Sequence, residues 1–228
     1  MIEMVAFDMA GTTIDDHGAV YEALEDAVIE TGATVAPVDL QQRMGTDKVE
    51  AITALMRLGG VEPDADSVAH AFERFRTILA ESYRDTPPVG LPGVVDALRA
   101  LRARGIRVAL TTGFSDDVAV PLLAALGWTI GTGPDDLLDA VVTTSDVSSG
   151  RPAPYLIHHA MEKLGVHDVR AVLAAGDTIV DLLAARNSGA IAVGVLTGKL
   201  GRADLEPHPH DYILDSVVDV LDLAEVAG

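Results

Sequence analysis

The chain has 228 residues, 49% of them apolar and only 4% aromatic, with a formal net charge of −19 and no cysteine. That length suits one domain with an insertion or two small domains, and the scarcity of rings leaves Ala, Val and Leu to fill the core. The negative charge argues against nucleic acid and anionic membrane surfaces as partners, and the missing thiols exclude disulfides, thiolate nucleophiles and thiolate metal sites. No apolar stretch reaches membrane-spanning length. The N-terminus runs straight into a strand, which leaves no room for a signal peptide and makes a cytoplasmic protein the expectation.

Val5-Ala6-Phe7 is a short apolar run, the mark of a strand covered on both faces. Asp8 follows at the carboxyl end, where open α/β sheets place ligands. Gly11, Thr12 and Thr13 add close backbone approach, N–H groups and hydroxyls suited to a phosphoryl group. On these residues alone Asp8 is equally an aspartate that starts a turn. Val20, Leu24, Val28 and Ile29 then recur with the period of an amphipathic helix, which Gly32 ends. Pro37 to Arg43 suits a short helix and Met44-Gly45-Thr46 a break. Asp47 with Glu50 reads as a capping box for a helix that stops at Gly59-Gly60. Another helical stretch covers Asp64 to Arg84 and closes at Thr86-Pro87-Pro88. No strand pattern interrupts this block, so residues 16–87 read as a helical insertion in a core made of 1–15 and 88–228.

From Gly93 the pattern alternates. Helices are expected at 94–104, 117–126, 154–164 and 178–187, and strands at 106–110, 140–142, 169–175 and 190–196. An edge strand at 212–214 and a terminal helix from Ser216 complete the chain. Such alternation predicts an α/β fold with a doubly wound parallel sheet. Three stretches carry polar groups at strand or helix ends. Val108 to Leu110 runs into Thr111-Thr112-Gly113, Gly150-Arg151-Pro152 sets a cation ahead of a helix, and Val172 to Ala175 runs into Gly176-Asp177-Thr178 with Asp181 beyond. Taken as an isolated pair, Asp177 and Asp181 are most simply an N-cap and a first-turn carboxylate.

In this order and at these separations, the four stretches resemble the motifs of the haloacid dehalogenase-like hydrolase superfamily over nearly the whole chain. The resemblance implies a Rossmann-like core with an inserted α-helical cap domain. It implies that Asp8 attacks phosphorus and becomes an aspartyl-phosphate. It also implies Mg²⁺ held by Asp8, the Ala10 carbonyl, Asp177 and Asp181; a divalent cation offsets the repulsion between a carboxylate and an anionic phosphoryl group. Arg151 would neutralise charge, and Thr112 would hydrogen-bond a phosphoryl oxygen, with Thr111 as the alternative. Gly11, Thr12 and Gly113 would line the phosphoryl site.

Most phosphatases of the superfamily place an Asp two residues after the nucleophile as general acid and base. Here that position is Ala10, and such catalysis is typically worth about 10²–10⁴-fold. DMAGTT, with Ala at this place, resembles the phosphonatase branch, the phosphonoacetaldehyde hydrolases. In that branch a cap lysine in a Met-Gly-x-x-Lys motif forms a Schiff base with the substrate aldehyde, and the leaving carbanion needs no acid. Met44-Gly45-Thr46-Asp47-Lys48 matches the motif, which implicates Met44 and Gly45 in substrate binding and Lys48 in catalysis. The alternative for Lys48 is a solvated helix residue. Against it, lysine is scarce, three beside thirteen arginines, and the macrodipole disfavours a cation in the first turn of a helix. Ala51 and Phe114 stand where the branch has a histidine and a tyrosine, and the branch's cysteine is replaced by Gly18 or Ala19.

The expectation is a Mg²⁺-dependent phosphonatase-like hydrolase acting on a small anionic aldehyde phosphonate such as phosphonoacetaldehyde. A phosphomonoesterase that replaces the absent acid by water or a cap residue is the first alternative. A non-catalytic phosphate-ligand binder is the second. Relatives form cap-to-cap dimers, which leaves a homodimer open here.

Overall fold

The structure is a computed structural model that describes residues 1–227. The chain forms two compact units, Met1–Asp15 with Val89–Gly228, and Asp16–Pro88.

Strand β1 (Met4–Phe7) is buried at every residue, as its unbroken apolar run requires of a central parallel strand. A two-residue strand, β2 (Ile14–Asp15), follows. Then come the four helices of the inserted unit: α1 (Ala19–Ile29), α2 (Pro37–Arg43), α3 (Lys48–Leu58) and α4 (Ala65–Asp85). Residues three or four apart form one buried stripe on each long helix. The stripes include Leu24 and Val28 on α1, Ile52 and Leu55 on α3, and Phe75 and Leu79 on α4. Asp47 caps α3 by accepting from the Glu50 N–H at 3.0 Å. The reciprocal box lies on α4 instead, where Asp64 and Ser67 each bind the other's backbone N–H at 2.7 and 3.0 Å.

Strand β3 (Val89–Gly90) pairs antiparallel with β2. The remaining elements are α5 (Val94–Ala103), β4 (Arg107–Thr111), α6 (Asp116–Ala125), β5 (Ala140–Val142), α7 (Tyr155–Leu164), β6 (Val172–Gly176), α8 (Ile179–Ser188), β7 (Ile191–Val195), α9 (Arg202–Leu205), β8 (Tyr212–Leu214) and α10 (Ala224–Ala227). The main sheet runs β5-β4-β1-β6-β7-β8 and is parallel at each pairing. This is the doubly wound α/β arrangement. One core packs Met4, Ala6, Val172 and Ala174 of the sheet against Leu156 and Ala160 of α7 and Leu182 and Ala185 of α8.

Phe7 lies opposite Leu110 on one side and Ala175 on the other. The next residue, Asp8, therefore sits level with the ends of β4 and β6. Strand order reverses at β1, and such a switch point opens a ligand crevice at the carboxyl ends.

Two expected elements differ. Strand β6 begins at Val172 rather than Val169, because the Asp168 carboxylate accepts from the Arg170 N–H at 3.0 Å and winds Val169–Ala171 into a 3₁₀ turn. The expected terminal helix from Ser216 is a 3₁₀ turn, Val217–Asp222, capped by Ser216. Leu223 is extended and separates that turn from α10. Among the described residues, no helix is long and apolar enough to cross a membrane.

Candidate active site

Carboxylate oxygens of Asp8, Asp177 and Asp181 lie within 4.8 Å of one another. The three residues are only 7%, 4% and 6% exposed, so water does little to separate their charges. Asp8 follows β1, Asp177 follows β6, and Asp181 sits in the first turn of α8. Thr178, not Asp177, is the N-cap of α8. Its N–H reaches the Asp181 carboxylate at 3.1 Å, and its hydroxyl donates to the same carboxylate. Asp177 is thereby relieved of capping, and its Oδ1 accepts from the Thr12 hydroxyl at 2.8 Å.

Arg151 ties the strand ends together. Its Nη1 meets Asp8 Oδ1 at 2.7 Å and its Nε meets Asp181 Oδ1 at 2.9 Å. Its Nη2 donates to the carbonyl and hydroxyl oxygens of Thr111 at 2.8 and 2.9 Å. A planar guanidinium can serve several acceptors at fixed angles in this way, which an ammonium cannot. Thr111 is therefore the threonine that anchors Arg151. Thr112 is buried beside it, its hydroxyl oxygen accepting from the Phe114 N–H at 3.1 Å, and Gly113 is buried as well. Gly11 has φ +85°, a left-handed value suited to glycine.

One guanidinium faces three carboxylates. Burial raises the Asp8 pKa from 3.8 to about 6, against the lowering effect of Arg151 and with a further rise from Asp181. Burial, then the charges of Asp8 and Asp181, push Asp177 well above the ordinary carboxylate range. Burial opposes the charge on Arg151, but the carboxylates of Asp181, Asp8 and Asp177 outweigh it and raise its pKa. The donor set is all oxygen, anionic and short of positive charge, which suits a hard divalent cation such as Mg²⁺.

A pH test follows from the sign of these shifts. Asp8 binds its proton more tightly in the folded chain. In chelator its contribution to stability is therefore full below about pH 3.8 and is lost as pH rises through about 6. The melting temperature of the wild type minus that of Asp8→Asn should fall across this window. At one fixed concentration, about 100 times the dissociation constant at pH 7.5, Mg²⁺ should add about 2.7 kcal/mol at that pH. That is roughly 5–10 °C for a chain of this size, with a larger gain at pH 7.5 than at pH 5. Equal gains at both values would contradict a site built from these carboxylates.

Met44, Gly45 and Lys48 belong to the helical unit. Met44 is buried, and Gly45 has φ +78°. Lys48 begins α3 and is 4% exposed. Its ammonium donates to the Thr46 carbonyl at 3.2 Å, so it is not the solvated residue that a helix-surface lysine usually is. Ala51 and Phe114 are buried too. Within the α/β unit, Thr12 and Arg151 contact the acidic cluster, and Thr111 holds Arg151.

Two further residues, Thr178 and Gly198, border the cluster, and Thr197 bonds the neighbouring Gly11 carbonyl. Thr178 could have been read from the Thr-x-x-Asp pattern of a capping box. Thr197 and Gly198, in the loop after β7, carry no local signal. A Cβ on Gly198 would stand 1.9 Å from Asp177 Oδ2.

The family model described as haloacid dehalogenase-like hydrolase matches residues 2–189. A phosphonoacetaldehyde hydrolase of Bacillus thuringiensis (strain Al Hakam) is 31% identical over 220 residues, which span 90% of this chain and 80% of the relative. Among solved structures, a hydrolase from Pseudomonas syringae superposes with a TM-score of 0.83 at 25% identity, covering 96% of both chains. A β-phosphoglucomutase from Clostridium difficile gives a TM-score of 0.81 at 17% identity, covering 96% of this chain and 93% of its own. That last likeness bears on the fold alone.

Proposed function

The chain belongs to the haloacid dehalogenase-like hydrolases, and on that premise we propose that it is a Mg²⁺-dependent phosphonatase-like enzyme that cleaves the C–P bond of an aldehyde phosphonate such as phosphonoacetaldehyde. Its substrate class, a small phosphate or phosphonate compound, follows from the family. The finer reading is carried by one pairing: a methyl group at Ala10, where an acid would serve a phosphatase, and a buried lysine at the start of α3. In the same reading the helical unit is the cap, and the enzyme works in the cytoplasm.

The chemistry assigned to each residue balances as follows. The Lys48 amine condenses with the aldehyde, loses water, and becomes a protonated imine. Asp8 attacks phosphorus, and the electron pair of the breaking C–P bond passes into the imine to give an enamine. Arg151 and the Thr112 hydroxyl hold phosphoryl oxygens as charge develops. Protonation of the enamine carbon and hydrolysis release acetaldehyde and free Lys48. A second water cleaves the acyl phosphate on Asp8 and releases phosphate. Asp8, Asp177, Asp181 and the Ala10 carbonyl would hold Mg²⁺, which would supply the charge neutralisation that a carboxylate needs near an anionic phosphoryl group.

The buried, apolar Ala51 and Phe114 favour a second reading, a phosphomonoesterase, because they remove two polar groups of the phosphonatase branch. Phosphate release from phosphonoacetaldehyde, run beside a panel of phosphate monoesters, tests the choice. Fast release from the phosphonate alone is the expected result. Release from esters alone would replace the first reading by the second.

A further inference from the structure

The loop after β7 takes no part in the chemistry above, yet at Gly198 it comes up against the Asp177 carboxylate of the acidic cluster. The Asp177 carboxylate lies between two loops, the one after β1 with Gly11 and Thr12 and the one after β7 with Gly198. Thr12 donates to its Oδ1. A Cβ on Gly11 would lie 2.7 Å from its Oδ2, and one on Gly198 would lie 1.9 Å from the same oxygen and 2.5 Å from Cγ. No Cβ approaches that closely, so the main chain itself forms the walls. The Thr197 hydroxyl then donates to the Gly11 carbonyl at 2.6 Å, across 186 residues of sequence. This bond joins the loop after β1 to the loop after β7 on either side of Asp177.

We propose that Thr197 and Gly198 are positioning residues: the Thr197–Gly11 bond clamps the two loops so that Asp177 has one orientation, the one in which it ligates the cation. The proposal rests on the Mg²⁺ reading of the cluster. Among the described residues, Asp177 accepts one side-chain hydrogen bond, from Thr12, whereas Asp8 and Asp181 are each gripped by Arg151. Its aim must therefore come from the walls, and outer-shell partners of metal ligands typically contribute about 10–100-fold in metal affinity or activity.

The test uses Thr197→Val, which keeps the branched shape and deletes the donor, with Thr197→Ser as the rescue. Mg²⁺ binding is measured by titration calorimetry, and melting is measured in chelator. Thr197→Val should weaken Mg²⁺ by about 10-fold or more with a metal-free melting temperature close to that of wild type, and Thr197→Ser should restore the affinity. Gly198→Ala should weaken Mg²⁺ at least as much. A lower metal-free melting temperature with unchanged Mg²⁺ affinity would show a merely structural bond and overturn the proposal. Should the wild type itself bind no Mg²⁺, the metal reading fails, and the clamp falls with it; a wild type that binds alongside an equally tight Thr197→Val overturns the clamp alone.

Discussion

Asp8→Asn should reduce phosphate release by at least about 10⁴-fold while the protein stays folded. Loss of the attacking group of a covalent mechanism has cost on the order of 10⁶ in turnover elsewhere, and the residual rate reflects what the remaining residues contribute. Asparagine preserves the shape, and its carbonyl oxygen can still accept from Arg151 Nη1, which now meets Asp8 Oδ1 at 2.7 Å. The variant also removes one of three crowded buried charges. Above pH 6 its metal-free melting temperature should therefore be no lower than that of wild type. Binding of a non-hydrolysable phosphonate should survive within a few-fold. Steady-state phosphate release and calorimetry measure both quantities. A variant that keeps a tenth of the wild-type rate would exclude Asp8 as the nucleophile.

Lys48→Arg should abolish release from phosphonoacetaldehyde, by on the order of 10⁴-fold or more if the covalent amine is as indispensable as other covalent groups. Arginine keeps the positive charge and much of the length, but its guanidinium forms no imine under these conditions. The comparison therefore separates the amine's nucleophilicity from its charge. Turnover of any phosphate monoester should change only a few-fold, because the aspartyl-phosphate chemistry uses no amine. Equal losses on both substrates would point to damage in the helical unit, where Lys48 is buried and donates to the Thr46 carbonyl.

The strands were legible where burial on both faces writes a continuous apolar run, as in Val5-Ala6-Phe7 and Val172 to Ala175. The strand order, and with it the placement of Asp8 beside the ends of β4 and β6, is not written in the chain's alternation and comes from the structure. The limits of legibility are physical. Val169 and Ala171 alternate with Arg170 as a strand's faces do, but a side-chain cap at Asp168 competes for the backbone and wins. The β2–β3 ribbon holds two residues a side, too few for any alternation to register. In the site, the residues singled out by type, Asp8, Asp177, Asp181 and Arg151, are ones that the structure brings together. Thr197 and Gly198 act through a hydroxyl on a distant carbonyl and through an absent side chain. Neither leaves a mark in the local sequence. That Thr111 anchors Arg151 is not legible in the sequence, because it depends on where β4 ends beside Arg151, which side-chain spacing alone does not set.

Trapping with borohydride is the most direct measurement of the central claim. Phosphonoacetaldehyde is mixed with the enzyme, borohydride is added, and the digested protein is examined by mass spectrometry. The expected result is an irreversible loss of activity that requires both reagents, with an N-ethyl or N-phosphonoethyl group on Lys48 and none on Lys163 or Lys199. An enzyme that releases phosphate from phosphonoacetaldehyde yet carries no label at Lys48 would contradict it.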